Sequence, residues 1–288
     1  CTTQNFAKNT VKNLRLALYS RALMQDLRKN TRLQYDCLER GILKVFRSKK
    51  DFDNAAMQAN VLRELGSDNR TLNPREIKNL EPAYNTSPDK IIGGIFTPGD
   101  ESGDAFKFSI ELTKYLAKLG VIFHFDETVK SLNSVRNKIV SVTTDKSTID
   151  SDAIVISMGS YSPFLLKPLG IKLPIQPVKG YSVTIPTAGH NGAPTISITD
   201  EDHKVVFTRL GNRMRVAGTA EFNGYDTQIN QERANSINNI AQFLFPSAGD
   251  YSKAEFWTGV RPMTPDCVPI IGPTNFENLF LNTGHGTL

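Results

Sequence analysis

The sequence lacks the features of a membrane-spanning, disulfide-bonded or zinc-binding protein. No apolar run approaches the roughly 18 residues that a transmembrane helix needs, and the first residues lack the apolar core of a signal peptide. The three cysteines, Cys1, Cys37 and Cys267, form no C-x-x-C pair and have no histidine at metal-ligand spacing. The sequence therefore predicts neither a disulfide framework nor a metal site, and a reducing compartment fits best.

The excess positive charge lies at the beginning of the chain. The formal net charge is +5 and the pI is near 9.0, yet residues 1–50 hold 12 Lys or Arg against 3 Asp or Glu, which leaves the remainder slightly acidic. No basic face for nucleic acid therefore extends through the fold. The basic segment is either a solvated helix face or a surface that meets anionic lipid headgroups.

The first half of the chain alternates helical and strand patterns. Apolar residues at three-to-five-residue spacing predict a long amphipathic helix over residues 6–38. Three shorter helices are predicted at residues 51–65, 73–80 and 105–119. Asp51 and Asp104 are suitable N-caps for two of them. Strands are predicted at residues 42–47, 93–97, 121–125 and on both sides of Asn137. The continuous apolar run at 153–157 is typical of a buried parallel strand.

The second half changes to alternating strands with polar turns. Antiparallel strands are predicted at residues 181–185, 204–209, 213–219 and 254–260. Gly211 and Asn212 form a hairpin turn between two of them, and a helix is predicted at 231–244. Two types of sheet therefore occur along one chain. The fold class is mixed α/β, with two domains that are each discontinuous in sequence.

Three segments have the residue types of a ligand site. Arg261 follows an apolar strand and is held by two prolines within five residues, which suits a guanidinium that grips a carboxylate through two parallel bonds, although a structural ion pair is equally compatible. Residues 284–287 form a glycine turn after a strand, where backbone N–H groups could meet an anion. Gly159 and Ser160 end the predicted buried strand, either as a tight turn or as a close approach to a cofactor.

Taken together, three segments resemble one family of flavoenzymes. They are residues 178–186 (VKGYSVTIP), 257–266 (WTGVRPMTPD) and 282–288 (NTGHGTL). They resemble the FAD-dependent glycine and D-amino-acid oxidase family, and within it the D-amino-acid dehydrogenases. The likeness extends over essentially the whole chain.

The resemblance implies a fold of two domains. One is a Rossmann-like FAD domain, here partial, and the other is a substrate domain with a mixed, largely antiparallel sheet. By this likeness the substrate domain comprises residues 1–97 and 174–262, and the FAD-binding domain comprises residues 98–173 and 263–288.

The resemblance also implies roles for single residues. Arg261 matches the arginine that binds the substrate carboxylate, and Tyr181 is a second expected substrate contact. The positions that would contact FAD are Val129, Gly159, Ser160, Gly259, Gly284, His285, Gly286, Thr287 and Leu288. The flavin accepts the hydride, so no side-chain general base is required, and His285 is expected to be a structural or flavin-edge contact.

The sequence departs from the family pattern at its ends. The Gly-x-Gly-x-x-Gly turn that holds the FAD pyrophosphate is absent, and the chain stops at Leu288 where the family continues into a helix. The expectation is a fragment that lacks the N-terminal Rossmann motif and the C-terminal helix and holds FAD weakly. Cys267 stands where the family has glycine, and it is expected to be a half-buried loop thiol.

The implied activity is FAD-dependent deamination of D-amino acids such as D-alanine to 2-oxo acids and ammonia. Electrons would pass to a respiratory quinone, with the protein at the inner face of a bacterial inner membrane. One alternative is a glycine or sarcosine oxidase that uses oxygen, but Thr287 stands where glycine oxidases carry a second arginine. Another alternative is a truncated chain without activity.

Overall fold

The structure is a computed structural model that describes residues 3–88 and 90–286. These residues form six α-helices and fourteen β-strands. The helices are α1 (Thr3–Thr31), α2 (Lys49–Glu64), α3 (Pro74–Leu80), α4 (Ala105–Lys118), α5 (Ser162–Leu166) and α6 (Gln231–Leu244). The strands are β1 (Ile42–Phe46), β2 (Arg70–Leu72), β3 (Gly93–Thr97), β4 (Val129–Val135), β5 (Lys138–Thr144), β6 (Thr148–Asp150), β7 (Ile154–Ile156), β8 (Gln176–Pro186), β9 (Ser197–Asp200), β10 (Val205–Leu210), β11 (Arg213–Glu221), β12 (Glu255–Met263), β13 (Ile270–Pro273) and β14 (Leu279–Thr283).

The N-terminal helix is shorter than its apolar pattern predicts. α1 ends at Thr31 and not at residue 38, because Arg32 takes a left-handed φ of 54° that no α-helix accommodates. Arg28, in its last turn, forms a bidentate ion pair with Glu101, with N–O distances of 2.7 and 3.0 Å. Part of the basic N-terminal segment is therefore neutralised within the fold. No helix in the described ranges has the length and apolarity to cross a bilayer.

The starts of the shorter helices follow capping chemistry. Asn73 accepts hydrogen bonds from the first turn of α3, and Glu76 bonds back to its N–H as a full capping box. Asp104 caps α4 as predicted. The predicted cap of α2 is wrong: the cap is Ser48, whose hydroxyl accepts from the Asp51 backbone N–H. Asp51 lies instead in the first turn, where its charge complements the helix dipole.

The predicted strand at residues 121–125 is also wrong. This segment has no ladder partner among the described residues, and its apolar composition does not produce a strand. Ile122 and Phe125 are 80% and 66% exposed, and the rings of Phe123 and Phe125 stack on each other at 5.5 Å. A short apolar run favours a strand only when a neighbouring backbone is available to pair with it.

The largest unit is an eight-stranded sheet. Its strand order is β12-β8-β11-β10-β9-β1-β3-β2, and all of its pairs are antiparallel except β1 with β9. The main core covers one face, where Tyr181, Val183 and Ile185 of β8 pack with Ala234 and Ile237 of α6. The mixed α/β fold and the largely antiparallel sheet of the prediction are confirmed.

Two three-stranded sheets complete the fold. β4, β5 and β6 form an antiparallel meander, and the other sheet has the order β13-β14-β7. β7 pairs with β14 in parallel, as predicted, but it is buried on one face only, since Val155 between Ile154 and Ile156 is 59% exposed. The strands of both small sheets lie within residues 129–156 and 270–283, and those of the large sheet lie within 42–97 and 176–263.

A buried carboxylate generates a stability prediction. Glu81 is fully buried, and its two oxygens accept four hydrogen bonds, from the backbone of Ala83, Thr195 and Ile196 and from the Thr195 hydroxyl. In Glu81→Gln the amide NH₂ must face at least one of these donors, so the free energy of unfolding should fall by about 1–3 kcal/mol. Urea unfolding measures this, with the exposed Glu64→Gln as control. Equal stability of the two variants would contradict the prediction.

Candidate active site

Arg261 lies on β12 at the edge of the large sheet. It pairs with Val178 of the neighbouring strand β8, and its side chain crosses the strand to lie over Gly180. A Cβ atom on Gly180 would lie 2.5 Å from both Cζ and Nη1 of the arginine, closer than real Cβ contacts allow. The absence of a side chain at Gly180 is therefore what permits the guanidinium to occupy this position.

The Arg261 guanidinium is desolvated without a counter-ion. It is half-buried, and burial lowers its pKa from the usual value, although a guanidinium stays protonated in proteins. Nη1 donates to the carbonyl oxygen of Thr219 at 3.2 Å. Within residues 3–88 and 90–286 no carboxylate lies at ion-pair distance from it. A charged fork with most of its donors unused is suited to a carboxylate ligand.

The glycine-rich loop after β14 lies beside the end of β12. Gly284 and Gly286 both have left-handed backbones, with φ of 74° and 60°. The N–H of Gly286 donates to the carbonyl of Pro262, the residue directly after Arg261, at 3.1 Å. His285, between the glycines, is half-buried. The structure therefore places this loop against the main chain directly after Arg261.

A second glycine turn meets the same region. Gly159 and Ser160 begin a 3₁₀ turn after β7, and Gly159 has a φ of 54°. The Gly159 carbonyl accepts from the Thr283 hydroxyl at 3.1 Å, and the Ser160 carbonyl accepts from the Tyr225 hydroxyl at 2.8 Å. The turn is thus fixed both to β14 and to the loop that follows β11.

The hydroxyl of Ser160 is the unusual atom of this turn. Ser160 is 3% exposed, and its Oγ has no hydrogen-bond partner among the described residues. Burying a hydroxyl without a partner is unfavourable, and such atoms in native proteins need an explanation. A ligand that offers an acceptor beside the turn would satisfy it.

Val129 lies elsewhere, at the start of the β4 meander. It lines a surface cavity of about 330 Å³ together with Glu127 and Ile154. Hydrogen bonds from the hydroxyls of Ser147 and Thr144 lower the pKa of Glu127 to about 2, so this carboxylate is ionised at neutral pH. Sequence reasoning missed Glu127, because its partners come from a neighbouring turn.

Tyr181 does not lie with Arg261. It follows Gly180 on β8, and successive side chains of a strand point to opposite faces. Gly180 faces the guanidinium, whereas Tyr181 is 2% exposed in the core and donates its hydroxyl proton to Glu221 at 2.5 Å. The structure therefore gives no support to the prediction that Tyr181 contacts substrate, because its hydroxyl is used on the other face of the sheet.

Gly259 lies on β12, the strand that carries Arg261, and it pairs with Gly180 of β8. A Cβ atom on Gly259 would overlap the Trp257 ring, so the indole accounts for the glycine. Thr287 and Leu288, two further predicted cofactor contacts, lie outside the described residues. Cys267 is exposed, not half-buried, and has a left-handed φ of 59°, a conformation typical of the glycine expected there.

Comparison with known proteins identifies the family. The model of the family of FAD-dependent oxidoreductases known as DAO matches residues 3–288. A D-amino acid dehydrogenase of Paramagnetospirillum magneticum is 46% identical over the whole chain, which spans 68% of that relative's length. Another D-amino acid dehydrogenase, from Granulibacter bethesdensis, is 44% identical over the whole chain, which spans 69% of that relative's length. This chain belongs to the DAO family of FAD-dependent oxidoreductases.

Solved structures share the fold. Glycine oxidase from Geobacillus kaustophilus matches with a TM-score of 0.80 and 25% identity, covering 94% of this chain and 73% of that one. L-proline dehydrogenase from P. horikoshii matches with a TM-score of 0.84 at 18% identity, covering 96% of this chain and 75% of that one. The predicted family and its fold are confirmed.

The packing of Arg261 over Gly180 generates a binding prediction. In Gly180→Ala the new methyl group must displace the guanidinium, so affinity for a small carboxylate such as acetate should fall roughly tenfold, the equivalent of one charged hydrogen bond. Trp257 is the only tryptophan and lies two strand positions from Gly259, so its fluorescence can follow the titration. Gly120→Ala adds the same methyl where nothing lies within 4 Å; because its φ of 91° makes the alanine strained, the variant controls for lost stability and should bind acetate as the unchanged protein does. Equal affinities in both variants would contradict the displacement.

Proposed function

We propose that this chain holds the substrate site, and part of the cofactor site, of an FAD-dependent enzyme that deaminates D-amino acids to 2-oxo acids and ammonia. The observation that carries the proposal is the desolvated Arg261 guanidinium without a counter-ion, beside the Gly284 loop. The proposal is supported by the name of the relatives, D-amino acid dehydrogenase, at 44–46% identity along the whole chain.

Arg261 would bind and orient the substrate carboxylate. Two parallel N–H donors of the guanidinium fix both oxygens, and this in turn fixes the direction of the bond from the carboxyl carbon to Cα. The Thr219 carbonyl restrains the opposite side of the fork. The carboxylate neutralises the buried charge, so binding removes an unfavourable feature of the ligand-free site.

The residues at the Gly159 turn fit the FAD that the family requires. Gly159 leaves the backbone accessible, and the unpartnered hydroxyl of Ser160 offers a donor to a phosphate or ribose oxygen. Gly284, His285 and Gly286 would contact its flavin end, and Val129 its adenine end. When bound, FAD supplies the hydride acceptor. Loss of hydrogen from the amino acid leaves an imino acid, which water hydrolyses.

The division of the chain into domains is part of the proposal. We assign residues 1–97 and 174–262 to the substrate domain and residues 98–173 and 263–288 to the FAD-binding domain. In support, the strands within the first pair of ranges belong to the large sheet, and those within the second pair belong to the two small sheets.

Two other functions remain as alternatives. A glycine or sarcosine oxidase that uses oxygen is favoured by the likeness to glycine oxidase at 25% identity. An inactive fragment is favoured by the share of the relatives' length, 68–69%, that the chain spans. Flavin absorbance and a D-alanine assay of the purified chain test the inactive-fragment alternative. Stoichiometric FAD together with oxidation of D-alanine would exclude it.

For the electron acceptor we propose a respiratory quinone, reached by peripheral contact with the inner face of a bacterial inner membrane. The name dehydrogenase supports an acceptor other than oxygen, and the 12 Lys or Arg of residues 1–50 support a surface that meets anionic headgroups. Faster reduction of oxygen than of a soluble quinone analogue would contradict the proposal that a quinone is the acceptor.

The role of Arg261 predicts a specific kinetic change. Arg261→Lys keeps the charge but cannot reproduce the paired contact, so the KM for D-alanine in the FAD-loaded enzyme should rise roughly tenfold to a hundredfold. Arg209→Lys is a matched control, since that guanidinium donates to the Gly211 carbonyl at an exposed turn. Steady-state kinetics measures both variants, and an unchanged KM in Arg261→Lys would refute the role.

The orphaned hydroxyl predicts opposite effects on FAD affinity and stability. Ser160→Ala should weaken FAD binding roughly tenfold, because one hydrogen bond to a charged group is lost. The same change should leave the Tm of the FAD-free protein equal or higher, since a buried unpaired hydroxyl is removed. In the control Ser197→Ala the lost hydroxyl bonds the Phe207 carbonyl at 3.1 Å, so Tm should fall without a change in FAD affinity. Unaltered FAD affinity in Ser160→Ala would exclude the contact.

A further inference from the structure

A buried cation lies behind the arginine, on the other face of β8. Lys179 is 1% exposed, and its Nζ donates to the Gln228 carbonyl at 3.0 Å. The same atom lies 3.4 Å from Glu221 and 3.5 Å from Asp226, and 5.5 Å from the centre of the Tyr181 ring. A lysine is almost never buried so completely unless it is paired.

Glu221 is the centre of this cluster. Its Oε2 accepts from the Tyr181 hydroxyl at 2.5 Å, lies 3.4 Å from Lys179 and lies 3.8 Å from Arg233 of α6. The hydrogen bond from Tyr181, followed by the charge of Lys179, lowers the pKa of Glu221. One hydrogen bond and two neighbouring positive charges therefore fix this carboxylate at the end of β11.

The position of Glu221 coincides with a β-bulge. Gly218 pairs with Tyr181, whereas Glu221 pairs with Lys179, so three steps on β11 match two steps on β8. The extra residue falls between these pairs, and Thr219 there has a left-handed φ of 63°. This conformation is unfavourable for a β-branched residue and persists only where the surroundings hold it.

The bulge is also where the active-site arginine is held. The Thr219 carbonyl is the acceptor for Arg261 Nη1, at 3.2 Å. A regular ladder would turn each carbonyl of β11 toward a neighbouring strand, whereas a bulge leaves the extra residue unpaired and can aim it elsewhere. The direction of the Thr219 carbonyl, and with it the guanidinium, thus depends on what keeps the bulge in place.

We propose that Tyr181, Glu221 and Lys179 are positioning residues for Arg261, acting through the bulge that carries the Thr219 carbonyl. The inference rests on the proposed role of Arg261 as the group that binds the substrate carboxylate. Tyr181 and Lys179 hold Glu221, Glu221 fixes the end of the bulge, and the bulge fixes the acceptor that orients the guanidinium. The cluster contacts neither substrate nor cofactor.

Tyr181→Phe in the FAD-loaded enzyme tests the chain of contacts. The variant keeps the ring and loses only the bond to Glu221, so the KM for D-alanine should rise about three- to tenfold, the equivalent of one hydrogen bond, while kcat stays within about twofold. Glu221→Gln should act in the same direction, because it weakens the attraction to Lys179. A KM effect without a kcat effect indicates that binding of the carboxylate has changed and the chemical step has not.

A matched variant separates positioning from general stability. Tyr251→Phe also removes a hydroxyl, which donates to the Ala241 and Phe245 carbonyls at 3.1 and 2.7 Å, at the end of α6. It should lower Tm at least as much as Tyr181→Phe and leave KM unchanged. If both variants raise KM equally, the effect follows stability and the inference fails.

Coupling to the arginine gives the decisive result. If Tyr181 acts through Arg261, the double variant Tyr181→Phe with Arg261→Lys should raise KM hardly more than Arg261→Lys alone, whereas independent effects multiply.

A charge-restoring variant tests Lys179. Lys179→Met should raise the KM for D-alanine, whereas Lys179→Arg should leave KM close to that of the unchanged protein, because the charge facing Glu221 is kept. If Arg261→Lys leaves KM unchanged, the proposed function fails. If Arg261→Lys raises KM but Tyr181→Phe and Glu221→Gln do not, only the positioning role fails.

Discussion

The site depends on one charge that is partly removed from water and left without a counter-ion. A guanidinium in this situation is unfavourable in the ligand-free protein, and the fold tolerates it because Gly180 leaves space and the Thr219 carbonyl accepts one bond. An ion pair within the protein would make Arg261 more stable and useless for binding, since a substrate carboxylate would then have to compete with it. The lack of a partner among the described residues is therefore the property that the proposed role in carboxylate binding requires.

The sequence indicated which residue types form the site better than it indicated on which face of the sheet each side chain lies. Arg261 could be singled out because two prolines follow an apolar strand, and the family resemblance supplied a role. The same resemblance suggested Tyr181 as a substrate contact. Tyr181 follows Gly180 on β8, however, and because side chains alternate along a strand, the two residues lie on opposite faces of the sheet. Glu221 could not be found from the sequence, because its place depends on a register shift between strands. Ser160 was singled out for its place in a turn, but the orphaned state of its hydroxyl depends on burial by distant residues.

The fold shows the same distinction between local and non-local information. Helix α6 and the caps Asn73 and Asp104 follow the sequence pattern, because a cap and its helix are neighbours along the chain. The pattern at residues 121–125 is equally suggestive of a strand, yet a strand exists only through pairing with another segment, and none is described beside it. Local rules therefore placed α6 and the start of α4, although they misplaced the end of α1 and the cap of α2, and they failed for the strand, where a partner decides the outcome.

Three hydrogen bonds join parts of the chain that are far apart in sequence at the site. The Thr283 hydroxyl reaches the Gly159 carbonyl, the Gly286 N–H reaches the Pro262 carbonyl, and the Tyr225 hydroxyl reaches the Ser160 carbonyl. The first joins the turn after β7 to β14 within one small sheet, and the other two connect the two glycine turns of that sheet to β12 and to the loop after β11. Hydride transfer requires that the substrate carbon and the flavin be held at a fixed distance by different parts of the protein. Only the bond from Gly286 lies wholly in the main chain, whereas the other two depend on the hydroxyls of Thr283 and Tyr225. The relative placement of the proposed substrate and cofactor sites therefore depends on these two side chains as well as on the backbone.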